Sequence, residues 1–271
     1  MPFADVGRKE LWYEEAGSGP ALVLIHEGVA DSSMWDEHVP VLARTHRVIR
    51  YDLPGYGSSP LPSGPFSHVR DLEALLDGLG VERTSVVGVS VGGQIALEFA
   101  LVHPDRVERL VLVAPGLPGW DWSEEMQRAD EEEERLCDAG DVEGAAELAV
   151  RTWFDGPHRT PEQVDPVLRE RAKEMNRRAY AVQIPAFEAE VPPGPREQLD
   201  PPARERLGEV RAPTLLVVPE LDLADIHGIC ELLAAGIPGA RKVVMSGVAH
   251  FAPMEKAEEF TRLVLDHLGA S

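Results

Sequence analysis

The chain has 271 residues, of which 44% are hydrophobic, and a formal net charge of −21 from 47 acidic and 26 basic side chains. This length suffices for one large core, or for a core domain with a small insert. The strong negative charge excludes nucleic acid and anionic membrane surfaces as expected partners. The two cysteines, Cys137 and Cys230, are too few for a disulfide framework and lack metal-ligand spacing.

The N-terminus shows no basic and apolar pattern of a signal peptide, and no apolar run approaches the length of a membrane span. We therefore expect a cytoplasmic protein with no membrane partner. The sequence carries no signal for the oligomeric state.

Short apolar runs and amphipathic stretches alternate along the first part of the chain. Strands are predicted at residues 10–15, 21–26, 46–52, 84–89 and 107–114, and helices at 35–44, 67–79 and 94–103. The unbroken apolar run at 21–26 is typical of a strand that is covered on both faces. This alternation favours an α/β fold with a mostly parallel sheet and helices on both faces.

The alternation is interrupted after Pro115 and resumes with strands at 214–218 and 242–245 and helices at 224–235 and 256–268. Between 116 and 208 we predict only helices, at 144–154 and 161–180, followed by a proline-rich stretch. The sequence therefore predicts a core domain of residues 1–115 and 209–271 with a helical cap at 116–208. The acidic run at 131–134 favours a solvated helix face, with a field that repels anionic substrates as the alternative.

Residues 88–93, Gly-Val-Ser-Val-Gly-Gly, join a predicted strand to a predicted helix. A serine at such a turn is typical of the nucleophile elbow, G-x-S-x-G. The strained corner pushes the Ser90 hydroxyl clear of the sheet, and crowding there requires small residues at Gly88 and Gly92. The Val91 N–H lies in the first helical turn, so it can donate to an anion. Nucleotide-binding turns would need glycine in place of Ser90, or Gly-Lys-Ser/Thr after it.

A serine hydroxyl needs a base, and the base needs an orienting acid. Asp222 and His250 each lie just past the end of a predicted strand. Because the carboxyl ends of parallel strands share one edge of a sheet, we expect both to meet Ser90 there. Glu220 and Asp225 are alternatives to Asp222, which fits the motif spacing best. The histidines do not have zincin spacing, and we expect neither a metal nor a cofactor.

Six motifs agree in order with those of one superfamily. They are Leu24-Ile-His26 before Trp35, Tyr51-Asp-Leu-Pro-Gly-Tyr-Gly-Ser58, the elbow, His103-Pro-Asp-Arg-Val107, Glu220-Leu-Asp222 and Gly247-x-x-His250. On these motifs the chain resembles the α/β-hydrolase superfamily, in its capped esterase, lactonase and carbon–carbon-bond hydrolase branch, over residues 22–113 and 213–268. The resemblance implies Ser90 as nucleophile, His250 as general base and then acid, and Asp222 as its orienting carboxylate.

The resemblance also implies an oxyanion hole formed by the Val91 N–H and the turn after His26. The family usually has His-Gly in this turn, whereas this chain has His26-Glu27-Gly28. Gly28 matches by position the residue that donates its N–H, with Val29 as the alternative. We expect Glu27 to face solvent, because exposed carboxylates are the rule. The alternative is a carboxylate at the edge of the site, which would disfavour an oxyanion or hold a water.

Several side chains near these motifs are candidates for a substrate pocket, although the aromatic ones serve equally well as cap core. They are Glu27, Val29, Trp120, Trp122, Trp153, Phe187, Phe251 and Met254. We expect a serine hydrolase that acts on a small uncharged ester or a related acyl compound. The enzymatic alternatives are carbon–carbon hydrolysis of a dienone ring-cleavage product and cofactor-free perhydrolysis. The alternative outside enzymes is a ligand-binding protein on a hydrolase fold.

Overall fold

The computed structural model describes residues 3–6, 10–62, 64–187 and 194–269. At its centre lies an eight-stranded sheet in the order β1-β2-β4-β3-β5-β6-β7-β8. The strands are β1 (Phe3–Asp5), β2 (Glu10–Ala16), β3 (Ala21–Ile25), β4 (Arg47–Tyr51), β5 (Thr84–Val89), β6 (Val107–Val113), β7 (Thr214–Pro219) and β8 (Arg241–Met245). β3 to β8 are parallel, whereas β2 is antiparallel to both β1 and β4. The predicted α/β fold is confirmed. Of these eight strands, only β1 was not predicted, because it is too short to show a periodic pattern.

The helices are α1 (Val39–Leu42), α2 (His68–Gly78), α3 (Val91–Val102), α4 (Glu124–Asp138), α5 (Val142–Ala149), α6 (Pro166–Phe187), α7 (Ala224–Gly236), α8 (Ala252–Glu255) and α9 (Ala257–Leu268). The single helix predicted at 35–44 is wrong, because the chain there forms a 3₁₀ turn, Ser32–Trp35, and then α1. Pro40 stands in the first turn of α1, and proline starts a helix more readily than it continues one.

Apolar side chains fill the space on both faces of the sheet. Successive residues of β5 point to opposite faces, so that Val86 packs beside Leu72 on one face. Val87 packs beside Trp35 on the other face. Every residue of β5 is buried, as expected for a central parallel strand.

α4, α5 and α6 form a helical insertion between β6 and β7. α5 continues into a π-helical stretch, Val150–Asp155, and α6 runs seven residues beyond the predicted end at 180. Ala203 and Leu207, near the predicted end of the cap, pack into the core beneath the sheet. The boundaries 116 and 208 stay a prediction. Within the described ranges, no helix combines the length and apolar character needed to cross a membrane.

Candidate active site

The turn from β5 into α3 holds Ser90 in a backbone conformation that residues other than glycine rarely adopt, with φ +53° and ψ −116°. A Cβ added to Gly88 would lie 2.1 Å from the Gly92 carbonyl oxygen, and one added to Gly92 would lie 2.5 Å from that of His26. Both distances are below any real contact, so side chains are excluded on both sides of the serine. Close packing of β5, α3 and β3 therefore maintains the strained turn that the motif predicts.

His250 follows β8, and its imidazole is fully buried. Its Nδ1–H donates to Asp222 Oδ2 at 2.8 Å, and the Leu223 N–H donates to Asp222 Oδ1 at 2.8 Å. Among the described residues, His250 Nε2 has no hydrogen-bond partner. Burial lowers the pKa of His250, but the charge and hydrogen bond of Asp222 outweigh it, so the pKa is raised. This arrangement fixes the tautomer that leaves Nε2 available as a base.

The two alternative carboxylates after β7 have other partners. Glu220 accepts the Gly247 N–H at 2.7 Å. Asp225 accepts the indole N–H of Trp120 at 3.0 Å, which ties the start of the insertion to α7. Asp222 is therefore the one of the three that contacts the imidazole.

The turn after β3 is supported by His26, whose Nδ1–H donates to the Glu27 carbonyl at 2.7 Å while Nε2 accepts the Leu53 N–H at 2.9 Å. This pattern requires a neutral ring, and burial lowers the pKa of His26 accordingly. A Cβ on Gly28 would lie 3.7 Å from the Val91 side chain. The turn and the start of α3 are thus adjacent, as a shared anion site requires.

The expectation that Glu27 faces solvent is wrong. Its side chain is 0% exposed, and neither carboxyl oxygen has a hydrogen-bond partner in the described part of the chain. Oε2 lies 3.8 Å from His250 Nε2. Burial raises the pKa of Glu27 to about 8, so the side chain is mostly neutral at pH 7. The carboxyl is buried because distant segments, among them the His250 loop, cover the turn, which sequence reasoning cannot show.

An ion pair that the sequence analysis missed joins the insertion to the His250 loop. Arg159 pairs with Glu255 at the end of α8, and both side chains are about nine-tenths buried. Glu255 Oε1 also accepts the Ala249 N–H at 2.9 Å, while Arg159 Nε donates to the Asp155 carbonyl at 2.9 Å. The pair therefore positions the residue before His250. No motif marks it, because the partners are 96 positions apart.

The aromatic pocket candidates occupy different places. The Trp153 ring lies 4.5 Å from that of His250, centroid to centroid. Phe251 is buried against Phe154, with ring centroids 5.3 Å apart.

The remaining pocket candidates divide between core and site edge. Trp120 and Trp122 pack on the core, and Met254 is buried in the cluster on the opposite face. The Val29 carbonyl accepts the Asn176 side-chain amide of α6 at 2.6 Å. The side chain of Phe187 lies outside the described residues.

The chain belongs to the α/β hydrolase fold family, whose pattern matches residues 20–257. It is 31% identical over 273 residues to a putative carbamate hydrolase, RutD, of Azorhizobium caulinodans, covering 99% of this chain and 98% of that protein. It is 29% identical to a 2-hydroxy-6-oxo-6-phenylhexa-2,4-dienoate hydrolase of Comamonas testosteroni, covering 98% and 95%. The enol-lactonase of Burkholderia xenovorans LB400 superposes with a TM-score of 0.77 at 28% identity, covering 99% and 100%.

Proposed function

We propose that this hydrolase cleaves small uncharged carboxylic esters or lactones through an acyl-enzyme on Ser90. The observation that carries the proposal is the buried Asp222–His250 pair, whose Nε2 has no hydrogen-bond partner among the described residues. His250 follows β8 and Ser90 follows β5, two parallel strands of one sheet, and the carboxyl ends of such strands share one edge. A base oriented in this way serves to activate a hydroxyl that is a poor nucleophile by itself.

In the proposed reaction, Ser90 Oγ attacks the substrate carbonyl carbon while His250 Nε2 takes the hydroxyl proton. The N–H groups of Val91 and Gly28 donate to the oxyanion of the tetrahedral intermediate. When the intermediate collapses, His250 gives the proton to the leaving oxygen. Water then attacks the acyl-enzyme by the same route in reverse, and the carboxylic acid departs.

The charge arrangement around α6 supports an uncharged substrate. Four cations of this helix are each paired with a carboxylate, at 2.6–2.9 Å: Arg169 with Asp155, Arg171 with Asp36, Lys173 with Glu143, and Arg178 with Asp31. Their charges are therefore already compensated, and a substrate carboxylate would have to displace an existing partner. Together with the net charge of −21, this favours neutral acyl compounds.

Carbon–carbon hydrolysis is the second candidate, because several relatives at 28–30% identity are named as hydrolases of 2-hydroxy-6-oxo-dienoates or -dienedioates. The same serine, histidine and aspartate arrangement suits that reaction. The paired cations of α6 argue against it, since the substrates in those names are carboxylates.

A substrate panel tests the proposal. Wild type, Ser90→Ala and the control Ser85→Ala, a serine on β5 just before the turn, are assayed with p-nitrophenyl esters, neutral lactones and a dienoate ring-cleavage product. We expect turnover of esters or lactones that falls at least about a thousandfold in Ser90→Ala and persists in Ser85→Ala. A fluorophosphonate should label wild type but not Ser90→Ala. Turnover confined to the dienoate would favour the second candidate. No turnover and no labelling would indicate a ligand-binding protein.

A further inference from the structure

Glu27 is a buried carboxyl group that the reaction described above does not use. Its two oxygens have no hydrogen-bond partner among the described residues, and its side chain is completely enclosed. A buried polar group without a hydrogen bond lowers the free energy of unfolding. Its presence in a folded protein therefore needs an explanation, such as a role in binding or catalysis. The side chain caps no helix, and its only ion-pair contact among the described residues is with His250, at 3.8 Å, so its burial adds no hydrogen bond to the fold.

Glu27 lies beside two groups that have a role in the proposed reaction, His250 and the Gly28 N–H. Oε2 lies 3.8 Å from His250 Nε2, too far for a direct hydrogen bond. Gly28, the next residue, carries one of the two proposed oxyanion donors. The carboxyl group therefore lies close to the proposed base, and its residue precedes a proposed oxyanion donor in the chain.

Any atom that exchanges a proton with His250 Nε2 must stand about 3 Å from it. A water placed about 2.8 Å from both Nε2 and Glu27 Oε2 makes an angle of about 85° between its two acceptors, about 25° below the tetrahedral angle, so each hydrogen bond bends by roughly 12° from linear, within the range that hydrogen bonds tolerate. One water can therefore donate to both atoms at once. Its lone pair is then left free to attack a carbonyl carbon.

On the basis of the proposed function, we propose that Glu27 holds and orients the water that hydrolyses the acyl-enzyme. The water oxygen bonds to the acyl carbon, one of its protons passes to His250 Nε2, and its other hydrogen donates to Glu27. The tetrahedral intermediate then collapses as its bond to Ser90 Oγ breaks and His250 returns the proton to that oxygen. Glu27 accepts a hydrogen bond and takes no proton.

The surroundings of Glu27 agree with this role. The charged groups that act on it are His250, Asp222 and Glu255, from the β7 and β8 loops and α8. Burial, with the two nearby carboxylates, raises the pKa of Glu27, and only His250 lowers it. A mostly neutral carboxyl keeps an acceptor oxygen beside His250 without placing a full negative charge beside the developing oxyanion.

The test separates acylation from deacylation. Wild type, Glu27→Met and Glu27→Gln react with p-nitrophenyl acetate in a stopped-flow instrument, and intact-mass spectrometry of quenched samples counts the acetylated enzyme. Met keeps the volume but removes the acceptor, whereas Gln keeps a carbonyl oxygen. In Glu27→Met we expect deacylation to slow at least tenfold while acylation changes less than threefold, so that a burst appears and acetyl-enzyme accumulates. Glu27→Gln should lie between the two.

A control variant and the contrary outcomes complete the design. Glu98→Gln alters another buried carboxylate, on α3, which accepts the Gln94 side-chain amide, and should leave the ratio of the two rates unchanged. Equal slowing of acylation and deacylation in Glu27→Met, or no change in either, would overturn the role of Glu27. Turnover of p-nitrophenyl acetate by wild type that persists in Ser90→Ala would overturn the proposed function instead.

Discussion

Replacing Glu27 with Gln should stabilise the protein, and by an amount that grows with pH. In the folded chain the pKa of Glu27 is about 8, against an ordinary value of 4.5. Between these pH values the unfolded chain releases the proton and the folded chain keeps it. The folded state is therefore penalised progressively from about pH 4.5 to pH 8, and constantly above that.

The size of the effect follows from the shift. Each pH unit of this window costs the folded state about 1.4 kcal/mol, so the full penalty approaches about 5 kcal/mol. Gln does not titrate, so the folded Glu27→Gln variant does not carry this penalty. The free energy of unfolding of Glu27→Gln, relative to wild type, should thus rise by about 3 kcal/mol between pH 5 and pH 8.

Urea unfolding of both proteins, followed by tryptophan fluorescence at pH 5, 6, 7 and 8, measures this difference directly. Glu131→Gln, at an exposed position of α4, is the matched control and should track wild type at every pH. A difference between Glu27→Gln and wild type that stays constant across the four pH values would refute the reasoning. It would mean that the carboxyl ionises in the folded protein much as it does in the unfolded chain.

Three further variants test other parts of the site. Asp222→Asn should lower kcat/KM by about 10³–10⁴-fold in steady-state assays, because its amide would face His250 Nδ1 and favour the tautomer with Nε2 protonated; an unchanged kcat/KM would contradict the proposed role. Gly88→Ala should lower the free energy of unfolding, measured in urea, by more than about 3 kcal/mol, because the added Cβ would overlap the backbone of Gly92. A urea midpoint equal to that of wild type would show that the turn can rearrange to accept the methyl group. Arg159→Met should lower the free energy of unfolding by about 3–5 kcal/mol, because it leaves the buried Glu255 carboxylate without its cation. The double variant with Glu255→Gln should recover part of this loss. Additive losses in this double-mutant cycle would contradict the pairing.

The sequence by itself predicted most of the fold and the place of the candidate site. The unbroken apolar run of β3 and the short β-branched run of β5 are typical of buried strands, and parallel strands bring their carboxyl ends to one edge. The crowding between Gly88 and Gly92 is a local steric property, so five consecutive residues suffice to indicate it. For these reasons Ser90, Asp222 and His250 could be selected from the sequence, and the structure shows that Asp222 and His250 are in contact.

Only the tertiary structure decided what surrounds these residues. Glu27 is next to a glycine in a loop, a setting in which carboxylates are normally exposed. The sequence therefore predicted an exposed side chain, whereas the side chain is buried. Arg159 and Glu255 meet although 96 positions separate them, and no periodicity records their pairing. Local patterns depend on backbone sterics and on the average preference for burial. The environment of a single side chain depends instead on which distant segments cover it, and that is determined only when the whole chain packs.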